Sequence, residues 1–339
     1  MMAARWALAA ALPFAAFAAD DQVCAGCHRD VVTRFRNTPM AKALVPAADC
    51  EILRNNPNLT HRDNGYESRI ARQGDRSVLT VTGGGKTLSA NLLWAFGRGQ
   101  AGQTYVFERD GTYYESRVSY YNALHDIDVT MGAQSAKPAD IEEAAGHRMG
   151  PRDAMECFGC HSTGAVSGGR LHLESIAPGV GCVSCHAGAE KHATAASAGD
   201  SSAARIAKLG AASAEEMSEL CGRCHRTWSQ IAMNGPRGVL NVRFQPYRLT
   251  NSKCYSVTDA RIRCSACHDP HGALETTGTA YDSKCASCHS TAAHTKTCPV
   301  AKQNCVSCHM PKVELPGAHA RFTDHQIRVV RPGEPYPNE

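Results

Sequence analysis

Apolar and polar positions alternate with period two in only one part of the chain. Ser77-Val78-Leu79-Thr80-Val81-Thr82 alternates, and Thr104-Tyr105-Val106-Phe107 and Tyr113 to Val118 are rich in β-branched and aromatic residues. Between the last two, Arg109-Asp110-Gly111-Thr112 carries the Asp-Gly hairpin signal. The pattern predicts a small antiparallel β insert over residues 65–121. Gly83-Gly84-Gly85-Lys86-Thr87 superficially resembles a phosphate loop. Its first required glycine would fall at Thr80, so a hairpin turn is the better reading.

Helical periodicity is confined to short stretches. One runs through Val31 to Arg36 and is ended or bent by Pro39. Another, Ser213 to Leu220, opens with a capping box of Ser213 and Glu216. The Ala- and Ser-rich stretch 193–212 predicts an exposed loop, and the Pro-rich residues 331–339 a loose, extended tail. The longest apolar run, Trp6 to Phe17, follows Arg5 and precedes Ala16-Phe17-Ala18, a small-x-small cleavage pattern. Residues 1–19 therefore read as a secretory signal, too short to span a membrane with Asp20-Asp21 directly behind it. No other stable membrane span is expected. The mature chain is expected to be periplasmic or extracellular.

Cysteine usage changes the picture most. Of 17 Cys among 339 residues, 14 fall in seven copies of Cys-x-x-Cys-His. The pairs are Cys24 and Cys27, Cys157 and Cys160, Cys182 and Cys185, Cys221 and Cys224, Cys264 and Cys267, Cys285 and Cys288, and Cys305 and Cys308. The histidines are His28, His161, His186, His225, His268, His289 and His309. This is the attachment pattern of c-type haem: two thiols add to the vinyl groups, and the adjacent imidazole takes the proximal iron position. Paired zinc units need no His after every second Cys, and a thioredoxin-like dithiol occurs once. Seven covalently bound haem c groups are expected. The low aromatic content, 6%, suits an interior filled by porphyrin. The formal charge of +4 would be offset by two propionates per haem. With no Lys/Arg block and no binding motif, nucleic acid is not an expected partner.

The remaining nine histidines are His61, His125, His147, His172, His192, His271, His294, His319 and His325. Distal ligands are sought among them. His271, three residues past His268, cannot reach the far face of its own haem and would serve a neighbour. The same holds for His192, six residues past His186. His319 and His325 follow the last motif and would reach back; His125 and His294 are further candidates. For the first haem, Met40 or His61 could ligate; a Met thioether would raise its potential. Cys50, Cys254 and Cys298 are left over. Two of them are expected to pair, Cys254 with Cys298 in preference; the alternative is three buried thiols.

Several segments carry a family resemblance. Cys305-Val306-Ser307-Cys308-His309-Met310-Pro311-Lys312, Thr323-Asp324-His325, Cys267-His268-Asp269-Pro270-His271-Gly272 and Phe244-Gln245-Pro246-Tyr247-Arg248-Leu249 carry it. They resemble the multihaem cytochromes related to hydroxylamine oxidoreductase and pentahaem nitrite reductase, most closely the tetratricopeptide-associated relatives. The resemblance implies a mostly α fold with long loops around stacked haems, and distal roles for His271 and His325, with His192 and His319 following. No Cys-x-x-Cys-Lys haem of the nitrite reductase kind is present, and no cross-linking Tyr of the hydroxylamine oxidoreductase kind can be placed. The expected domains are a signal (1–19), a first-haem segment (20–64), the β insert (65–121), a six-haem domain (122–330) and the tail (331–339). The expected function is electron transfer by hopping, with other cytochromes or quinol-linked membrane complexes as redox partners. The alternative is an oxidoreductase acting on a small nitrogen or sulfur compound at one open-coordinate haem.

Overall fold

The computed structural model describes residues 21–290, 298–331 and 333–337. Its largest element is one antiparallel sheet of nine strands. In chain order these are β1 (Leu44–Pro46), β2 (Asn58–Asp63), β3 (Tyr66–Gln73), β4 (Arg76–Gly83), β5 (Lys86–Gly97), β6 (Gln103–Arg109), β7 (Thr112–Tyr121), β8 (Asp126–Val129) and β9 (Gly146–Arg148). Strands β2 to β8 pair in sequence order; β1 adds to β5 and β9 to β7. The sheet curls until its end strands meet: His61 Nε2 in β2 stands 3.5 Å from Asp128 Oδ1 in β8.

Alternation explains the curl. In β4, Ser77, Leu79 and Val81 point inward while Thr82 faces out, and Ile70, Leu92, Tyr105 and Phe107 meet them in one apolar cluster. The five-residue helix Ile141–Ala145 adds Ala144 and Ala145 to that cluster. Hairpins Asn64-Gly65 (φ 51° and 82°) and Asp110-Gly111 (φ 50° and 73°) use left-handed residue pairs, the turn geometry that matches strand twist.

The mostly α expectation is overturned. The chain is 34% helical and 25% strand, and its longest helix, Asp21–Phe35, has 15 residues. The motifs need only a helical turn each, so nothing selects for long helices. Nor is the sheet a small insert: it runs from residue 44 to residue 148, taking in both ends of the neighbouring segments. Strand β2 escaped the sequence reading because only Leu59 of its six residues is buried. The tail is also not loose throughout. The Tyr336 ring lies 4.7 Å below the Arg248 guanidinium, and its hydroxyl donates to Asn241 Oδ1 at 2.9 Å.

Among the described residues no helix is long and apolar enough to cross a membrane. The signal segment 1–19 lies outside the described residues, as does His294.

Candidate functional site

Each Cys-x-x-Cys sits on a helical turn, where residues i and i+3 share a face and the His at i+4 follows on the same side. The turns differ in how they are made. The second motif ends the helix Pro151–His161, which starts with Pro at its first position. The fourth ends Ala214–His225, capped by Ser213, whose Oγ accepts from Glu216 N at 3.1 Å. The sixth ends Asp282–His289, and the fifth and seventh occupy the short turns Cys264–Cys267 and Cys305–His309. The third forms a 3-10 turn at Cys182–Ser184, and the first helix kinks at His28 (φ −115°, ψ 38°).

Hydrogen bonds tie one motif to the next. Asp21, opening the first motif's helix, accepts from Cys182 N of the third at 3.2 Å. Arg223 of the fourth donates to Ser184 O of the third at 2.9 Å, and Cys160 Sγ of the second reaches Arg223 O at 3.7 Å. The thiols of Cys221 and Cys264 join the fourth to the fifth. The Tyr281 hydroxyl, just before the sixth motif's helix, lies 3.4 Å from His268 Nδ1 of the fifth. The Asp282 carboxylate of the sixth accepts from Asn304 N at 2.7 Å and Cys305 N at 2.9 Å, capping the seventh. The seven motifs thus form one connected set, with the fourth touching three others.

Two further expected haem anchors lie on motif helices. Cys27 is exposed on the first helix, one residue before the kink at His28, and Cys288 is half-buried in the last turn of Asp282–His289. The assignment of Cys27 and Cys288 to thioether bonds rests on their spacing from Cys24 and Cys285.

Three motif histidines face a second histidine. His28 and His192 have ring centroids 6.2 Å apart, His186 and His271 5.9 Å, and His268 and His325 6.2 Å. With metal–imidazole bonds of about 2 Å, one ion between two rings holds their centroids roughly 6 Å apart. A family model, cytochrome c554 and c-prime, matches residues 114–187, the segment holding the second and third motifs. Over this segment the chain is similar to c-type cytochromes. The match does not extend to the hydroxylamine oxidoreductase or nitrite reductase relatives. No curated protein and no solved structure matches the chain.

Cytochromes of this kind carry covalent haem c, and the donors here suit it. His161 Nδ1 donates to Ala43 O at 3.0 Å, His309 Nδ1 to Arg328 O at 2.8 Å, and His325 Nδ1 to Thr323 O at 3.0 Å; His192 Nδ1 donates to Ala204 O. A carbonyl can only accept, so each ring carries its proton on Nδ1 and leaves the Nε2 lone pair for iron. Burial lowers the pKa of His161, His225 and His268 and takes that of His325 down to about 4, so these rings stay neutral at pH 7. Four of the buried side-chain atoms without a partner are arginine N–H donors: Arg243 Nε, Arg248 Nη1, Arg263 Nε and Arg328 Nε. Cytochrome haem brings carboxylates, the acceptors such donors lack.

His325 is placed with particular firmness. Arg248 Nε and Nη2 donate to the two oxygens of the neighbouring Asp324, at 2.9 and 3.1 Å, with both side chains fully buried. Arg328 adds a third bond to Asp324 at 2.5 Å. The Phe244–Leu249 and Thr323–His325 segments singled out in the sequence thus meet in one ion-pair cluster.

Other sequence candidates fall elsewhere. The ring opposite His28 belongs to His192, the position the sequence reading gave to Met40 or His61. Met40 instead lies in the turn after the first helix, where its carbonyl accepts from Val180 N at 3.0 Å. His61 and His319 converge on Asp128, with His319 Nε2 2.7 Å from Oδ2, at the seam of the sheet. His125 is exposed in the turn between β7 and β8. His147 and His172 make contacts with Asp153 at 3.9 Å and Glu174 at 3.1 Å. Cys254 and Cys298 are unpaired, and Cys50 is buried against Gln103 in the sheet, its thiol pKa raised by burial. The backbone carbonyls of Ala43, Ala204 and Thr323 went unforeseen, since a carbonyl leaves no mark in the sequence. Asp324 and Arg248 were visible only as parts of the quoted segments.

Proposed function

We propose that the chain is a heptahaem c-type cytochrome that carries electrons by hopping between closely spaced haems. The observation that carries this reading is the connected set of seven Cys-x-x-Cys-His motifs, each bonded to a neighbour. Haem iron supplies one-electron storage at each motif. The chain does the rest. Paired thiols fix the position of each group, and motif histidines supply proximal imidazoles. His192, His271 and His325 complete the coordination of the first, third and fifth motifs, each from a different part of the chain. That crossed supply ties neighbouring groups together at short range. A haem held between two such imidazoles would have no open place for a substrate, which favours electron transfer over small-molecule chemistry at those three motifs. The chain works in the periplasm or outside the cell, where c-type haem is attached, and exchanges electrons with other cytochromes or quinol-linked membrane complexes.

Mass spectrometry tests the count: seven haem masses are expected on the mature chain, and five or fewer would sink it. Low-temperature EPR of the oxidised protein tests the mechanism. Low-spin signals from every iron support pure electron transfer. A high-spin signal surviving at one iron would instead favour an oxidoreductase with an open site.

A further inference from the structure

Arg243 ends the 3-10 turn Gly238–Arg243 and is half-buried. Its surroundings are poor for a cation. Nη1 reaches only the Met131 thioether sulfur, at 3.5 Å, and the guanidinium lies 5.0 Å over the Phe244 ring. Nε is buried with no acceptor. Two carboxylates of this part of the chain are engaged elsewhere. Glu156 is held by Arg152 at 3.0 Å and Arg226 at 2.9 Å, and Asp324 by Arg248 and Arg328. Burial, and after it the positive charge of Arg226, lower the Arg243 pKa. An unpaired buried cation is costly, and a second cation beside it makes it more so. The place is short of one anion.

Its position says which one. Arg226 directly follows His225, the fourth motif's histidine, and Gln245, two residues beyond Arg243, packs beside the His225 ring. The fork of Nε and an Nη is the arginine geometry that grips a carboxylate with two parallel bonds. We infer that Arg243, supported by Arg226, binds a propionate carboxylate of the haem carried by Cys221 and Cys224. This rests on haem attachment at the fourth motif. Covalent attachment brings that carboxylate to the same place in every molecule. The guanidinium then offsets the propionate's negative charge, which makes electron uptake at that iron easier and raises its midpoint potential. A free oxyanion such as nitrite or sulfite offers the same chemistry, so the test separates the two.

The experiment is a potentiometric titration of the full holoprotein carrying Arg243→Met or Arg243→Lys, with haem content and peptide mass measured first. A missing haem on the Cys221–Cys224 peptide of the unaltered protein would refute attachment there, a failure of the functional reading and separable from this one. With haem in place, Arg243→Met is expected to lower one midpoint potential and leave the others unmoved. Arg243→Lys keeps the charge but loses the fork, and should lower the same potential by less. If Arg243→Met does not assemble, the shift in Arg243→Lys decides alone. Potentials unmoved in both variants, with only the melting temperature reduced, would overturn the inference and leave Arg243 a packing residue. So would a spectral change on adding nitrite or sulfite to the unaltered protein that is lost in Arg243→Met.

Discussion

In the sheet, Leu79, Val81, Ala95 and Tyr105 are wholly enclosed by other side chains of the same region. From Lys253 to His309, across three motifs, no described residue is buried at all. The two regions lie in one chain and differ in what they pack against. The sheet supplies its own apolar surface by alternation along its strands. In the proposed function the fifth to seventh motifs supply anchors, caps and imidazoles, and leave the apolar surface to haem. One region can fold on burial of its own side chains. In that proposed function the other folds only with haem in place, as small metal domains do.

The sharpest way to break that contrast is to withhold haem. In chain made without haem attachment, residues 44–148 are expected to keep their strands. Residues 253–309 are expected to open, with protease cutting them at least about tenfold faster than the sheet. Limited proteolysis with mass mapping reads both at once, and equal rates would show that the second region has a core of its own. Next in size is Asp324→Ala. It strands Arg248 and Arg328 in a buried place and should cost about 3–5 kcal/mol. It should also free His325, so a low-spin signal weakens as the melting temperature falls. A melting change without a spectral one would separate the ion pair from haem ligation.

His271→Ala probes coordination with little change in packing. One low-spin haem, that facing His186, is expected to become high-spin in EPR, while His125→Ala leaves the spectrum unaltered. An unchanged spectrum in His271→Ala would make His271 a structural residue. The smallest effect is expected at the link between the regions. Asp128 in β8 holds His319 of the C-terminal hairpin and is about a third exposed, 32%. Solvent screens such a pair, so Asp128→Asn should cost only about 0.5 kcal/mol in a denaturant titration. A loss several times larger would mean that the sheet supports the motif region after all.

How much of this was legible follows the same divide. The motifs were readable because the haem attachment they predict needs its thiols and proximal histidine adjacent in sequence. Strands β4, β6 and β7 were readable because alternation and Asp110-Gly111 are local. Strand β2 was not, with one buried residue in six, and β9 is three residues paired to β7 through contacts distant in sequence. The mostly α expectation came with the family resemblance, and nothing in the residue pattern between 58 and 129 supported it. Distal ligands were narrowed by spacing: His271 and His192 could not serve their own motifs. Which ring meets which is decided by tertiary approach, so His192 opposite His28 could not be read off. Arg243 carries no local signal, because it is marked by the carboxylate its neighbourhood lacks.

The fourth motif touches the second through Cys160, the third through Ser184 and the fifth through Cys264. A line of carriers in series stops when any one of them is blocked. A junction behaves otherwise. In the proposed relay, charge arriving from the arm of the first and third motifs and from the second motif merges at one node and leaves by a common arm toward the seventh. Two donors docked at different faces could then feed one acceptor. Disabling either input would leave the other running, whereas disabling the node would silence the whole circuit.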